Sequence, residues 1–274
     1  MSRFRFISHP FQAMGTTCEV KLYDKSRSRA EYVAQSVAKE VKRLELKYSR
    51  YREDSFLSQI NKCGLGGLQL DDESSSLMDY VSGCYEASGG LFDVTTGSLR
   101  KIWNLHSGTI PTEVEISELL AQIGWRYVDW SKPVLRFLKA GIELDLGGVV
   151  KEYAVDRGVD LCLKAGIRHG LINLGGDIRV IGPGPNGEPW PVHIKNPRDP
   201  MEYACTIEMA SGALATSGDY ERCIEIEGKR FGHIFNPLTG WPVDFMASVS
   251  VVSSQCIVAG SLATIGMLKG SEGV

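Results

Sequence analysis

Between residues 29 and 48, apolar side chains return every three or four positions, at Val33, Val37, Val41 and Leu44. That spacing predicts a long helix with one buried stripe, ending near the polar turn Ser49-Arg50-Tyr51-Arg52. Upstream, residues 11–23 alternate and read as a strand, and further helices are expected over 75–88 and 117–123. At the centre the pattern changes quickly. Ile142, Leu144 and Leu146 alternate as in a strand, Gly147-Gly148 makes a turn, and residues 149–163 return to helical spacing with Val149, Tyr153, Val155, Val159 and Leu163 on the buried side. Gly166 is the expected stop of that helix, and a strand follows it. A Pro/Gly-rich turn at 183–187 then introduces strands at 190–195, 203–209, 212–217, 221–226 and 247–252, and a helix of small and apolar residues at 256–268. Strand-rich sequence with segregated helices predicts an α+β architecture. With neither an internal repeat nor a long linker, residues 1–274 are expected to form one domain.

Composition removes several classes of function. The chain is 43% hydrophobic and 23% charged, as in ordinary globular proteins. A formal net charge of −3 without a basic run argues against nucleic-acid binding. No apolar run approaches the roughly 20 residues that span a bilayer, and polar residues stand where a signal peptide would be apolar, so no membrane partner is expected. Seven scattered cysteines without a CxxC pair fit reduced thiols in a cytoplasm, not a zinc site or a disulfide framework.

The chemistry concentrates in a few turns. At Gly147-Gly148 the backbone N–H groups and the positive end of the following helix favour an anion such as a pyrophosphate, and Lys151 adds a charge one turn in. Tight packing alone would also explain two glycines there. Lys151 is expected to serve the phosphates and not the fold, as a solvated lysine in the first turns of a helix. Phe92-Asp93-Val94-Thr95 places a carboxylate where it can cap a helix or hold a ligand hydroxyl. His233 precedes the rigid turn Asn236-Pro237-Leu238-Thr239-Gly240 and is a candidate general acid–base. Thr216 and Ser217 carry hydroxyls, but no base is identifiable beside them.

In their order, these segments resemble the ApbE family, the FAD:protein FMN transferases. The likeness runs through Ala13-Met14-Gly15-Thr16, Ser49-Arg50-Tyr51, Phe92-Asp93-Val94-Thr95, Asp145-Leu146-Gly147-Gly148, Asn173-Leu174-Gly175-Gly176-Asp177, Ala215 to Tyr220 and His233 to Gly240. The resemblance implies an α+β, ApbE-like fold related to the T-fold, with FAD as substrate and a Mg²⁺ ion at its pyrophosphate. It implies transfer of FMN from FAD to a Ser or Thr of an acceptor flavoprotein with release of AMP, or FAD hydrolysis to FMN and AMP. Carried onto this chain, the FAD contacts are Met14, Tyr51, Leu91, Phe92, Asp93, Asp145, Gly147, Lys151 and His233, with His233 as the catalytic base. The metal would be held at Gly148 and Thr264.

One departure bears on the metal. Where the family pattern has an Asp one turn before the Thr, this chain has Gly260 before Thr264, and losing that carboxylate is expected to weaken the Mg²⁺ site. A Gly260→Asp change is then expected to strengthen it. The chain is also shorter at its C-terminal end than the family pattern. Two readings stay open at this point: a flavin transferase, or an FAD-binding protein with little or no turnover. The sequence leaves the oligomeric state and the acceptor open.

Overall fold

The computed structural model describes residues 3–103, 109–199, 201–220, 222–226 and 228–273. The chain divides into two compact units, each assembled from three separated stretches. The first comprises Met1–Lys47, Gly147–Ser217 and Val249–Ala263; the second comprises Tyr48–Leu146, Gly218–Ser248 and Thr264–Val274.

A six-stranded sheet organises the first unit, with neighbours in the order Arg5–Ala13, Thr16–Asp24, His169–Leu174, Asp177–Gly182, Gly212–Gly218 and Ser248–Ser253. The single strand expected over residues 11–23 is a hairpin. Arg5–Ala13 pairs antiparallel with Thr16–Asp24, from Arg5 opposite Asp24 to Ala13 opposite Thr16. The reversal at Met14-Gly15 has positive φ at both residues, 56° and 69°, as a two-residue hairpin turn requires. Methionine is not a turn signal, so hydrophobic alternation ran across the bend.

The Arg27–Tyr48 helix buries Ala30, Val33, Ala34, Val37, Val41 and Leu44, the stripe expected from the spacing. Each such Val or Leu stabilises the fold by roughly 1.5–3 kcal/mol. The central helix, Val150–Lys164, packs on strands His169–Leu174 and Asp177–Gly182. Its buried face differs from expectation, because Leu163 is exposed while Glu152 and Asp156 are buried. Asp156 is satisfied: its Oδ1 accepts from Arg179 Nη1 at 2.8 Å and from the Cys256 backbone N–H at 2.9 Å, and its Oδ2 from the Ile257 N–H at 2.9 Å. It thereby caps the Cys256–Lys269 helix from outside that helix. Gly166 has φ +80° and ends the central helix as expected.

In the second unit, a small sheet of Leu68–Gln69, Val134–Phe137 and Val128–Ser131 lies beside the capped helices Phe56–Lys62, Asp72–Ala87 and Glu113–Leu120 in the chain. A cluster of Leu99, Trp103, Ile116, Ile123 and Phe231 forms a core, with Trp103 Nε1 donating to the Gly240 carbonyl at 2.8 Å. The strand expected at 142–146 is absent. Ile142, Leu144 and Leu146 are buried, but the backbone bonds outside any ladder: Asn61 clamps Leu144 through both its N–H and its carbonyl, and the Asp145 N–H donates to the Val94 carbonyl at 2.8 Å. Alternation recorded burial here, not pairing.

The later strands lie close to expectation, at Trp190–Lys195, Tyr203–Met209, Gly212–Gly218, Cys223–Ile226 and Ser248–Ser253. Position 221, the expected start of one of them, lies outside the described residues. Strand Lys229–Gly232, paired with Cys223–Ile226, carried no clear alternation. Among the described residues no helix is long and apolar enough to cross a membrane.

Candidate functional site

The first unit carries a glycine turn at the amino end of the central helix. Gly147 and Gly148 are exposed, and a Cβ added at Gly148 would meet nothing within 4 Å. The residue preceding the helix, Val149, makes no side-chain cap. The first N–H groups of the helix therefore have no side-chain acceptor from that position, which suits an oxyanion.

Lys151 follows, and its setting corrects the expectation of a solvated lysine. Its Nζ is paired with Asp177 and lies 3.7 Å from Glu152 Oε1. Burial works against its charge, but Asp177 and Glu152 outweigh that and hold the ammonium above the usual lysine range. Asp177 is almost fully buried at the start of its strand and also accepts from the Thr216 N–H at 3.4 Å. Glu152 is buried as well, and its Oε2 accepts no hydrogen bond. Burial drives its carboxyl upward, opposed by Lys151 and reinforced by Asp177. Lys151 is thus the half-buried cation of an ionic cluster whose two carboxylates are buried, not an appendage of the surface.

At the hairpin turn of the same unit, Met14 holds φ +56°, the one described non-glycine residue in the left-handed region. Its N–H donates to Glu45 Oε1 at 2.8 Å. A left-handed non-glycine residue costs roughly 1–2 kcal/mol, here set against the φ that the two-residue turn requires.

The second unit supplies an aromatic and basic surface. Arg50 pairs with Asp145, its Nη2 donates to Tyr51 Oη at 2.7 Å, and its guanidinium lies 4.9 Å from the centroid of the Tyr51 ring. Tyr51 is 79% exposed and presents an open ring face. Desolvation works to raise its hydroxyl, but the Arg50 hydrogen bond and the charges of Arg50, Arg222 and Arg100 hold it below the usual tyrosine range. Arg100 and Lys101 both pair with Glu143, two residues before Asp145. Gly97 lets this segment approach, since a Cβ there would lie 2.8 Å from Asp145 Cβ.

Asp93 is a cap. Its Oδ1 accepts from the Thr95 N–H at 2.8 Å and from Thr95 Oγ1 at 2.6 Å, and its Oδ2 from the Trp125 N–H at 3.0 Å. Burial pushes its carboxyl up against those bonds and the charge of Arg126. These bonds fix the Val94–Lys101 turn, whose Val94 carbonyl holds Asp145. Phe92 is buried and Leu91 half-buried just before it. His233 is exposed where strand Lys229–Gly232 ends, ahead of a turn closed by Gly240 N–H to the Asn236 carbonyl at 2.8 Å.

Thr264 is half-buried on the Cys256–Lys269 helix, one turn beyond Gly260. Gly260 is not an empty position: a Cβ added there would lie 2.5 Å from Glu152 Cγ. The expectation that Gly260→Asp simply adds a carboxylate is corrected by this contact. Among the described residues no group of three or more His, Cys, Asp or Glu side chains is placed to hold a metal unaided. Sequence reasoning gave no site role to Glu152, Asp177, Arg50 or Arg100, although Arg50 and Asp177 stand in motifs that carry the resemblance. For Glu152 a signal existed, because it stands three and seven positions before Val155 and Val159 on the apolar stripe.

Comparison with known proteins places these features in a family. The ApbE family model matches residues 14–274. The FAD:protein FMN transferase of Chlamydia pneumoniae is 32% identical over 235 residues, covering 82% of this chain and 72% of that protein. That of Treponema pallidum is 28% identical over 292 residues, covering 99% and 81%. Among solved structures, the ApbE protein of Thermotoga maritima superposes with a TM-score of 0.91 at 29% identity, covering 98% of this chain and 88% of that one. The flavin transferase ApbE of Vibrio cholerae does so with a TM-score of 0.88 at 26% identity, covering 99% and 89%. With a family model spanning nearly its whole length and an α+β fold shared with solved members, the chain belongs to the ApbE family.

Proposed function

We propose that this protein is a cytoplasmic FAD:protein FMN transferase, moving FMN from FAD to a Ser or Thr hydroxyl of an acceptor flavoprotein and releasing AMP. The observation that carries the reading is the glycine turn at the amino end of the central helix, exposed at Gly147 and Gly148 and without a side-chain cap at Val149. Relatives along most of the chain bear this activity in their names.

The helix N–H groups at that turn hold the pyrophosphate of FAD. Tyr51 offers its exposed ring for stacking, and Asp145, oriented by Arg50, accepts hydrogen bonds from the ligand. Met14, Leu91 and Phe92 provide apolar and backbone contacts, and Asp93 keeps their neighbourhood in shape through its cap. In the transfer, the acceptor hydroxyl oxygen bonds to the flavin-side phosphorus and the pyrophosphate P–O bond breaks. AMP departs with the electron pair, and His233 takes the hydroxyl proton. A bound Mg²⁺ supplies charge neutralisation at the phosphate oxygens. Thr264 and main-chain oxygens near Gly148 would hold it, and the buried Glu152 Oε2, which has no hydrogen-bond partner, supports a place for a hard cation.

The test is incubation of purified protein, FAD and Mg²⁺ with and without an acceptor flavoprotein, following AMP release and covalent flavin on the acceptor. Flavinylation matched by AMP supports transfer. Intact FAD with both partners present contradicts it.

A further inference from the structure

We infer that Glu152 is the carboxylate ligand of the divalent cation, delivered from the central helix across Gly260 because the Cys256–Lys269 helix carries none at that position. The inference rests on the proposed flavin transfer for the identity of the cation, but its geometry lies wholly in the first unit. A Cβ at Gly260 would fall 2.5 Å from Glu152 Cγ, 3.0 Å from Cδ and 3.2 Å from Oε1. The side chain of Glu152 therefore fills the volume that a residue larger than glycine would need. No positive φ is involved at Gly260, so the glycine there makes room and does not serve backbone conformation. Glycine in a helix interior costs about 1 kcal/mol against alanine, and the room it leaves is taken by a carboxylate.

The electrostatics point the same way. Glu152 and Asp177 share the single ammonium of Lys151, which leans to Asp177, while Glu152 Oε2 is buried with no hydrogen-bond partner. Buried charge is ordinarily paired or metal-bound, and an acceptor oxygen left over in such a place suits a cation. Magnesium is commonly held by one or two carboxylates together with substrate phosphates, so a single protein carboxylate suffices. Glu152 and Gly260 thus act as a matched pair: the carboxylate stands on the central helix, and the glycine on the neighbouring helix leaves it room.

Mn²⁺, titrated by electron paramagnetic resonance with and without FAD, is the probe, and flavin fluorescence reports FAD binding separately. Glu152→Gln keeps the size of the side chain and can donate to Asp177, so the fold should persist by circular dichroism. It should weaken Mn²⁺ binding by about tenfold or more, in the range seen when groups that support a metal site are removed. Gly260→Asp alone should not tighten binding, since its Cβ meets Glu152. Glu152→Ala combined with Gly260→Asp should return Mn²⁺ affinity to within about threefold of wild type, on the same scale. Wild-type affinity in folded Glu152→Gln, or failure of the folded double variant to recover, overturns the inference. So does a wild type that binds FAD but no Mn²⁺. If FAD does not bind, the transferase reading fails by itself; a Mn²⁺ site lost in Glu152→Gln then still assigns the ligand, and absence of any Mn²⁺ site overturns both.

Discussion

Each unit holds a grouping of carboxylates and cations, and the two are built to opposite balance. In the first, the carboxylates of Glu152 and Asp177 share one ammonium, and both are buried. In the second, Arg50, Arg100 and Lys101 stand against Asp145 and Glu143, beside the exposed Tyr51 ring. In the first grouping two buried carboxylates face one ammonium where charge is costly, and burial with the nearby Asp177 holds the Glu152 carboxyl above its usual range, opposed by Lys151. The second carries surplus positive charge at the surface, where long side chains can turn toward an anionic, aromatic ligand. Similar side chains therefore serve different ends, and burial decides which.

The largest expected effect lies in the buried grouping. Lys151→Ala leaves two buried carboxylates without their counter-ion and should destabilise the protein by about 3–5 kcal/mol. Chemical denaturation measures this, and an unchanged midpoint would show that the cluster is not a coupled buried unit. Removing Asp177 in the same molecule should recover much of the loss. Next in size is Gly97→Ala, whose Cβ would sit 2.8 Å from Asp145 Cβ; overpacking of this kind costs roughly 1–3 kcal/mol. It should also weaken FAD by displacing Asp145, so the melting temperature and a flavin titration should fall together. A variant of full stability and wild-type flavin affinity would mean that this close approach is not needed.

The partly buried Arg50–Asp145 pair should behave differently. Arg50→Gln removes a partly buried ion pair and should cost about 1 kcal/mol or less. Its effect on FAD affinity should exceed its effect on stability, as flavin fluorescence and thermal melts would show. The reverse ranking would make Arg50 a scaffold residue and erase the contrast between the units. Smallest of all is Met14→Gly. Relief of left-handed strain, about 1–2 kcal/mol, is partly offset by the entropy of the added glycine. Stability should stay level or rise slightly while FAD binding falls, if the strained turn is shaped for the ligand.

Much of this scaffold was legible along the chain, because amphipathic spacing survives wherever one face is buried. Val33, Val37, Val41 and Leu44 gave the first helix, and Trp190 to Lys195 gave a strand with both its ends. Reading failed where local sequence and tertiary structure parted. Ile142, Leu144 and Leu146 alternate because they are buried, but Asn61 takes the backbone bonds that a neighbouring strand would take. Met14 turns the chain although its side chain disfavours the turn. For the site, the glycine turn at Gly147-Gly148 could be found from residue type and position. The partners of Lys151 could not, since Asp177 lies 26 positions away and Glu152 reads as one more solvated acid unless its place on the apolar stripe is weighed. Gly260 looked like a missing ligand because a one-dimensional motif cannot show which neighbour occupies the vacated space.

A flavin transferase uses FAD as a donor of FMN, and the fate of both halves of FAD can be followed. Mass spectrometry of an acceptor flavoprotein incubated with the purified protein, FAD and Mg²⁺ tests this use most directly, with AMP quantified in the same reaction. An FMN adduct on a single Ser or Thr is expected, with one AMP per adduct, and with loss of both when EDTA removes the metal while FAD binding is retained. An acceptor of unchanged mass beside intact FAD, with Mg²⁺ present and FAD bound, would contradict that use.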